Sequence, residues 1–332
     1  MRGIETFQYD LEVGCGFTLK LVFMGTPAFS IPVLSGLTEN GYEVVKVYTK
    51  PDSRSGRNQR QNSSPVKLFA ETIGLSILDP ISLKPKEVQD ELSSLNPDLI
   101  VLSAYGLILP RQILRIPTHG CLNIHPSLLP KYRGPSPVSS AIAQGESYTG
   151  ITIMQINEQV DSGPIIAQRK IQIQPQENAS EITSRLFQIG ACLLVNILPD
   201  WTDGKIHAVS QNHEQATYTK RLIKRDGEID WNLRPQKIVS RILGYYPWPG
   251  SYTRWNGKLL KILEATVSNQ LVSSTKQGLV VSLSDGELGI TTPHGVVKIL
   301  RLQIEGKKSV DSKEFLKGYP EFIGSIVNKI GA

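Results

Sequence analysis

Three side chains in this sequence could together manage transfer of a one-carbon acyl unit to an amine: the amide of Asn123, the imidazole of His125 and the carboxylate of Asp161. The first two open the run Asn123-Ile124-His125-Pro126-Ser127-Leu128-Leu129-Pro130-Lys131-Tyr132-Arg133-Gly134, and the third opens Asp161-Ser162-Gly163-Pro164. An amine attacking an acyl carbon drives negative charge onto oxygen, so donors must aim at the place that oxygen will occupy. Losing one such donor costs roughly 10²–10³ in rate. With one residue between them in extended backbone, Asn123 and His125 point the same way. Asp161 could orient or charge the imidazole and pass a proton from attacking to leaving nitrogen, although Ser162-Gly163-Pro164 also reads as a turn. Because an α-amino group titrates near pH ~7.7–8.0, a useful fraction is already neutral and no covalent nucleophile is needed. Ser127 has no assigned base and reads as a loop or ligand contact.

The elements that must position these groups alternate. Leu19-Lys20-Leu21-Val22-Phe23-Met24 reads as a strand, Gly25-Thr26-Pro27 as a turn, and Pro32-Val33-Leu34-Ser35-Gly36-Leu37 as a helix. Two further apolar runs, at residues 44–48 and 98–103, have helical patterns between them. This predicts an α/β domain with a mostly parallel sheet covered on both faces. No G-x-G-x-x-G follows Gly25, which disfavours a nicotinamide site. Ligands of such sheets still gather outside the carboxyl ends of strands, where Asn123 and His125 would lie. Residues 149–156 alternate like a half-buried strand leading towards Asp161, and residues 165–169 resume the sheet. Asn178-Ala179-Ser180-Glu181 starts a helix with apolar positions Ile182, Leu186, Ile189, Leu193 and Ile197, and this helix should close the first domain.

Residues 205–224 are polar and are expected to form a linker over the surface. Beyond them come short strands with turns at Asn256-Gly257, Asp285-Gly286 and His294-Gly295, which predict a small antiparallel barrel, and one of the oligonucleotide-binding type would give the excess positive charge a purpose. The expected divisions are therefore an unmatched extension at 1–18, a catalytic domain at 19–204, the linker, and a barrel domain at 225–332. Charge divides along the same line. Residues 1–204 carry 17 Lys/Arg against 19 Asp/Glu, and residues 205–332 carry 19 against 11, within a net charge of +6. A basic second half suits a polyanion, since phosphate neutralisation releases counterions, although a lysine-coated surface would look similar. Tyr245, Tyr246, Trp248 and Trp255 read as packing residues. Three cysteines, Cys15, Cys121 and Cys192, and five scattered histidines have no ligand spacing, so no metal is expected. With no apolar run near 18 residues and no signal-like start, neither a membrane nor secretion is expected, and the cytoplasm is.

In this order, Gly25-Thr26-Pro27, Pro51-Asp52, Gly56-Arg57, Ser64-Pro65-Val66-Lys67, the stretch 104–110, the long 123–134 run, Val160-Asp161-Ser162-Gly163, Ile229-Asp230-Trp231 and Pro247-Trp248-Pro249 resemble the methionyl-tRNA formyltransferases, within the wider folate-dependent formyltransferase group. The resemblance covers about residues 19–330. It implies a Rossmann-like formyltransferase domain followed by an OB-like tRNA-binding domain, 10-formyltetrahydrofolate as formyl donor, and initiator methionyl-tRNA as acceptor. It implies Asn123, His125 and Asp161 as the catalytic set, Ser127, Leu128, Leu129 and Pro130 as a folate-binding loop, and Arg57 as a contact to the tRNA acceptor end. Around Arg57 the stretch Asn58-Gln59-Arg60-Gln61-Asn62 departs from the glycine- and lysine-rich pattern of the family, and Ala28 stands where relatives often carry aspartate. Two other readings compete. One is a formyltransferase for a ribonucleotide amine or an amino sugar, which would not need a basic barrel. The other is a non-catalytic nucleic-acid binder, which would not need Asn123, His125 and Asp161 together.

Overall fold

A computed structural model describes residues 19–55, 60–270, 272, 276–284 and 286–327. The extension at 1–18 and Arg57 lie outside the described residues. In chain order the first half contains β1 Lys20–Gly25, α1 Ile31–Glu39, β2 Glu43–Tyr48, β3 Ser53–Ser55, β4 Arg60–Asn62, α2 Pro65–Thr72, β5 Ile77–Leu78, α3 Lys86–Ser94, β6 Leu99–Ser103, α4 Arg111–Leu114, β7 Cys121–His125, α5 Pro137–Gln144, β8 Tyr148–Gln155, β9 Ile165–Gln172 and α6 Ala179–Thr202. The second half contains α7 Pro235–Gly244, β10 Ser251–Trp255, β11 Lys258–Ser268, β12 Val280–Ser282, β13 Leu288–Thr292, β14 Gly295–Ile304, β15 Val310–Asp311 and α8 Ser312–Gly318.

Seven strands of the first half form one sheet in the order β5-β2-β1-β6-β7-β8-β9. The first five are parallel, and β8 and β9 are added antiparallel. Side-chain alternation along the strands builds two cores. Leu21, Phe23, Leu99, Val101, Leu122 and Ile124 pack towards α1 and α6, while Val22, Met24, Ile100, Leu102 and Cys121 pack on the other face. Because Leu122 and Ile124 take one face of β7, Asn123 and His125 are left to the other. Chain order reverses between β1 and β6, and a crevice opens at the carboxyl ends of the adjoining β6 and β7.

Helix α6 starts on the expected capping box: Asn178 Oδ1 accepts from the N–H groups of Ser180 and Glu181, and Glu181 Oε2 accepts from Asn178 N. Such a cap contributes about 1 kcal/mol. By length and composition α6 could cross a membrane, yet its Ile182, Leu186, Leu194 and Leu198 are fully enclosed in the first core. An apolar face against a sheet accounts for that composition.

The second half is antiparallel, with a path β10-β11-β14-β13-β12 and β15 branching from β14. Its core gathers Trp231, Ile238, Trp255, Leu260, Val297, Ile299 and Phe322. Trp255 meets Phe315, Tyr319 and Phe322 edge-on, with ring centroids 4.8–6.2 Å apart. The packing role expected of Trp255 therefore holds. It does not hold for Trp248, which is 58% exposed, or Tyr246, 39% exposed.

Candidate active site

The crevice is a cavity of about 610 Å³. Its walls are residues 104–109 beyond β6, Asn123 and His125 at the end of β7, residues 134–139 leading into α5, residues 156–161 beyond β8, and Phe187 of α6. Asn123, His125 and Asp161, separated by up to 38 positions in the chain, thus share one cavity. Asn123 sits between Leu102 and Met154 across the sheet, and His125 stands opposite Thr152. The Asn123 carboxamide has no hydrogen-bond partner among the described residues, so both its donors remain available to a ligand.

His125 is held at Nε2 and faces Asp161 with Nδ1. Nε2 lies 3.1 Å from the carbonyl oxygen of Tyr132, which can only accept, so Nε2 carries the proton in this arrangement. Nδ1 lies 3.6 Å from Asp161 Oδ2, longer than a hydrogen bond. Asp161 Oδ2 accepts the N–H of Gly134 at 2.7 Å, while Oδ1 has no protein donor among the described residues. Gly134 has φ +99°, and a Cβ there would stand 2.8 Å from Thr219 O, so only glycine brings its N–H to that carboxylate. Ala104, Tyr132 and Asp161 all have left-handed backbone, at φ +50°, +60° and +49°. Each such residue costs on the order of 1–3 kcal/mol, a cost that concentrates around this cavity. Tyr132 is fastened by its hydroxyl, which donates to Glu146 at 2.6 Å. Burial, then the Glu146 carboxylate, pushes that hydroxyl well above the usual phenol range, so it stays a donor.

Residues 127–130 stand behind the cavity wall. Ser127 is buried and donates to Lys131 O at 2.7 Å. Thr152 Oγ1 donates to Ser127 O and accepts from Leu129 N, and Leu129 O accepts from Gln168 Nε2. Leu128 packs on Gly150, and Pro130 O accepts from Thr217 N. None of the four lines the cavity. Their polar groups bond to His125, Lys131, Thr152 of β8, Gln168 of β9 and Thr217 of the linker. Between β3 and β4, where Arg57 falls, the base of the hairpin is pinned by Lys67 Nζ, 2.7 Å from Asp79 and 3.0 Å from Asp52. Hydrogen bonds to Asp79 and then Asp52 raise the Lys67 pKa, outweighing burial.

The segment expected to run over the surface is built into the site. Gln211 is 6% exposed; its Nε2 donates to Asp161 O at 3.0 Å and Gly163 O at 2.7 Å. Its Oε1 accepts from Arg133 Nε and Nη2 at 3.1 and 2.6 Å. Arg133, 1% exposed, also reaches Tyr218 Oη and His213 Nδ1, with its guanidinium 5.7 Å from the Tyr218 ring centre. Thr217 accepts from Tyr132 N, Thr219 donates to Arg133 O, and Ser136 N donates to Thr219. Gly163 fits only as glycine, because a Cβ would sit 1.8 Å from Gln155 O. Sequence reasoning missed Gln211 and Thr219. A lone glutamine in a polar stretch carries no periodicity, and the buried guanidinium that needs it lies 78 residues earlier.

The fold and this site define a class: the chain belongs to the formyltransferase family, whose "Formyl transferase" segment matches residues 19–198 and whose "Formyl transferase, C-terminal domain" segment matches residues 221–320. Among its relatives are methionyl-tRNA formyltransferases from Chloroflexus aggregans, 40% identical over 301 residues, covering 90% of this chain and 97% of that protein, and from Geobacter metallireducens, 39% identical over 306 residues, covering 90% and 96%. HypX from Aquifex aeolicus, solved with tetrahydrofolic acid, shares the fold, with a TM-score of 0.62, 20% identity and coverage of 92% of this chain and 48% of that one.

Proposed function

We propose that this protein transfers the formyl group of 10-formyltetrahydrofolate to the α-amino group of initiator methionyl-tRNA. The observation that carries the reading is the meeting of Asn123, His125 and Asp161 in one large cavity, in a chain 40% identical to relatives of that name. The cavity suits the donor. Tyr105, Leu107, Ile108, Leu109, Ile156 and Val160 offer apolar walls for a flat ring and its aryl extension, and backbone groups of residues 104–109 can pair with a ring edge. The donor supplies a formyl group already attached to nitrogen and ready for displacement.

Within that site Asn123 donates an N–H to the formyl oxygen as it gains charge. Asp161, through its unengaged Oδ1, takes the proton from the attacking amine and returns it to the departing nitrogen, so that one C–N bond forms as the other breaks and the enzyme is unchanged. His125 sits beside the other carboxylate oxygen and reaches the formyl oxygen by exchanging the bond its Nε2 makes to Tyr132 O. No side chain serves as a covalent nucleophile. The basic half and Arg57 bind the tRNA.

The test is a formylation assay offering methionyl-tRNA, glycinamide ribonucleotide and an amino-sugar nucleotide with the same donor. Formyl transfer to methionyl-tRNA alone is expected. Preferential transfer to either small amine would overturn the assignment of acceptor.

A further inference from the structure

Two tryptophans of the second half, Trp231 and Trp255, are buried at 4% exposure, as the hydrophobic effect favours, whereas Trp248 keeps 58% of its surface in water. Pro247 and Pro249 on either side fix φ and stiffen the backbone that presents it. Its Nε1 donates to Leu222 O at 3.4 Å, which fixes one edge of the indole against the 220–225 segment. That segment is basic. Lys220 is paired with Asp226, while Arg221, Lys224 and Arg225 stand exposed and in no ion pair among the described residues. An exposed aromatic ring on a stiff backbone beside unpaired cations is the combination that binds single-stranded nucleic acid, with the ring taking a base face and the cations the phosphates.

Its position is as informative as its composition. Thr219 N donates to Arg133 O at 2.7 Å, next to the Gly134 whose N–H holds Asp161. Leu222 lies three residues further on, so at ~3.3–3.6 Å per residue the chain from this anchor to the tryptophan's partner is at most about 11 Å long. A substrate whose reacting amine enters the cavity must pass its last nucleotides over nearby surface.

We propose that Trp248, with Arg221, Lys224 and Arg225, forms a stacking platform for the unpaired 3′ nucleotides of the RNA substrate, a reading that rests on the tRNA acceptor proposed above. It differs from the role of Arg57, which lies in another part of the chain, and from general attraction by the basic half, because it names one aromatic face and one unpaired stretch.

The test uses full-length protein and initiator tRNA carrying 2-aminopurine in its unpaired 3′ segment, whose fluorescence reports stacking on an aromatic side chain. Wild type should change that fluorescence on binding. Trp248→Ala should abolish the change and weaken binding roughly tenfold, about 1.4 kcal/mol, the scale of one base stack, and Trp248→Phe should restore most of both. The triple variant Arg221→Ala, Lys224→Ala, Arg225→Ala should lower the slope of log affinity against log salt by about 3. A Trp248→Ala protein with wild-type melting, affinity and fluorescence would overturn the platform even if formylation proceeds, as would a triple variant with the parent salt slope. A wild-type protein that neither binds nor formylates the tRNA would sink the acceptor assignment and the platform together.

Discussion

Replacing Gln211 with Leu should do damage out of proportion to the loss of one polar side chain from an interdomain segment. All four hydrogen-bonding positions of that amide are used, two towards Asp161 O and Gly163 O and two from Arg133. Leucine keeps the volume and leaves those partners without it. Orphaning a buried neutral acceptor costs about 1–3 kcal/mol and a charged group more. Two carbonyls at about 1–3 kcal/mol each, with half the bonds of a 1%-exposed guanidinium while Tyr218 and His213 stay in place, put the loss at about 3 kcal/mol or more, a large part of the ~5–15 kcal/mol that holds a typical protein folded. Because Gln211 grips the backbone of Asp161, survivors should also turn over slowly: a displacement near 1 Å can cost ~10²-fold. Denaturant unfolding followed by circular dichroism, with single-turnover formylation on the folded fraction, reads both effects. Gln211→Glu should lie between wild type and Leu in stability, since it keeps an acceptor for Arg133 and loses both donors. A Gln211→Leu protein within about 1 kcal/mol of wild type and equally fast would show that the network does not hold the site.

Three further outcomes are expected. Asn123→Ala should lower kcat by roughly 10²–10³ while donor and tRNA affinities stay within a few-fold, measured by steady-state kinetics beside direct binding; equal losses in both would move Asn123 from transition-state to ground-state contact. Burial alone would raise the Asp226 pKa, but the Ile223 N–H and Lys220 outweigh it and hold the carboxyl below its ordinary 3.8. A depressed carboxylate stabilises above its unfolded pKa and loses that contribution as pH falls through the folded value, so Asp226→Asn should be less stable than wild type at pH 7, with a gap that closes below about pH 3.8 in pH-dependent unfolding. Burial pushes the Cys121 thiol up to about 12, whereas Cys192 is exposed, so native-state alkylation mapped by mass spectrometry should label Cys192 and spare Cys121 until the protein unfolds.

The strands and helices that carry periodic apolar patterns were legible in the residues themselves. Asn178 and Glu181 announce the start of α6, and the alternation around Asn123 and His125 announces that they share a face of β7. The strand read at 149–156 pointed towards Asp161, and the resemblance supplied its pairing with His125, because nothing local to Asp161 says which of many loops it will face. Gln211 escaped because whether it is solvated depends on Arg133, a polar partner distant in sequence that leaves no periodic trace. Trp248 was misread because burial is the ordinary fate of tryptophan, and only its neighbours decide otherwise.

The two family segments stop at Leu198 and resume at Arg221. The intervening stretch contributes Gln211, Thr217 and Thr219, which fasten Asp161, Tyr132 and Arg133. A hybrid enzyme spliced at the customary border between the halves would inherit its reaction chamber from one parent and the bolts of that chamber from the other. Exchange of C-terminal halves among such proteins should therefore succeed when the cut falls after Thr219 and fail when it falls before Gln211, which makes the short connector part of the first half's unit in inheritance as well as in space.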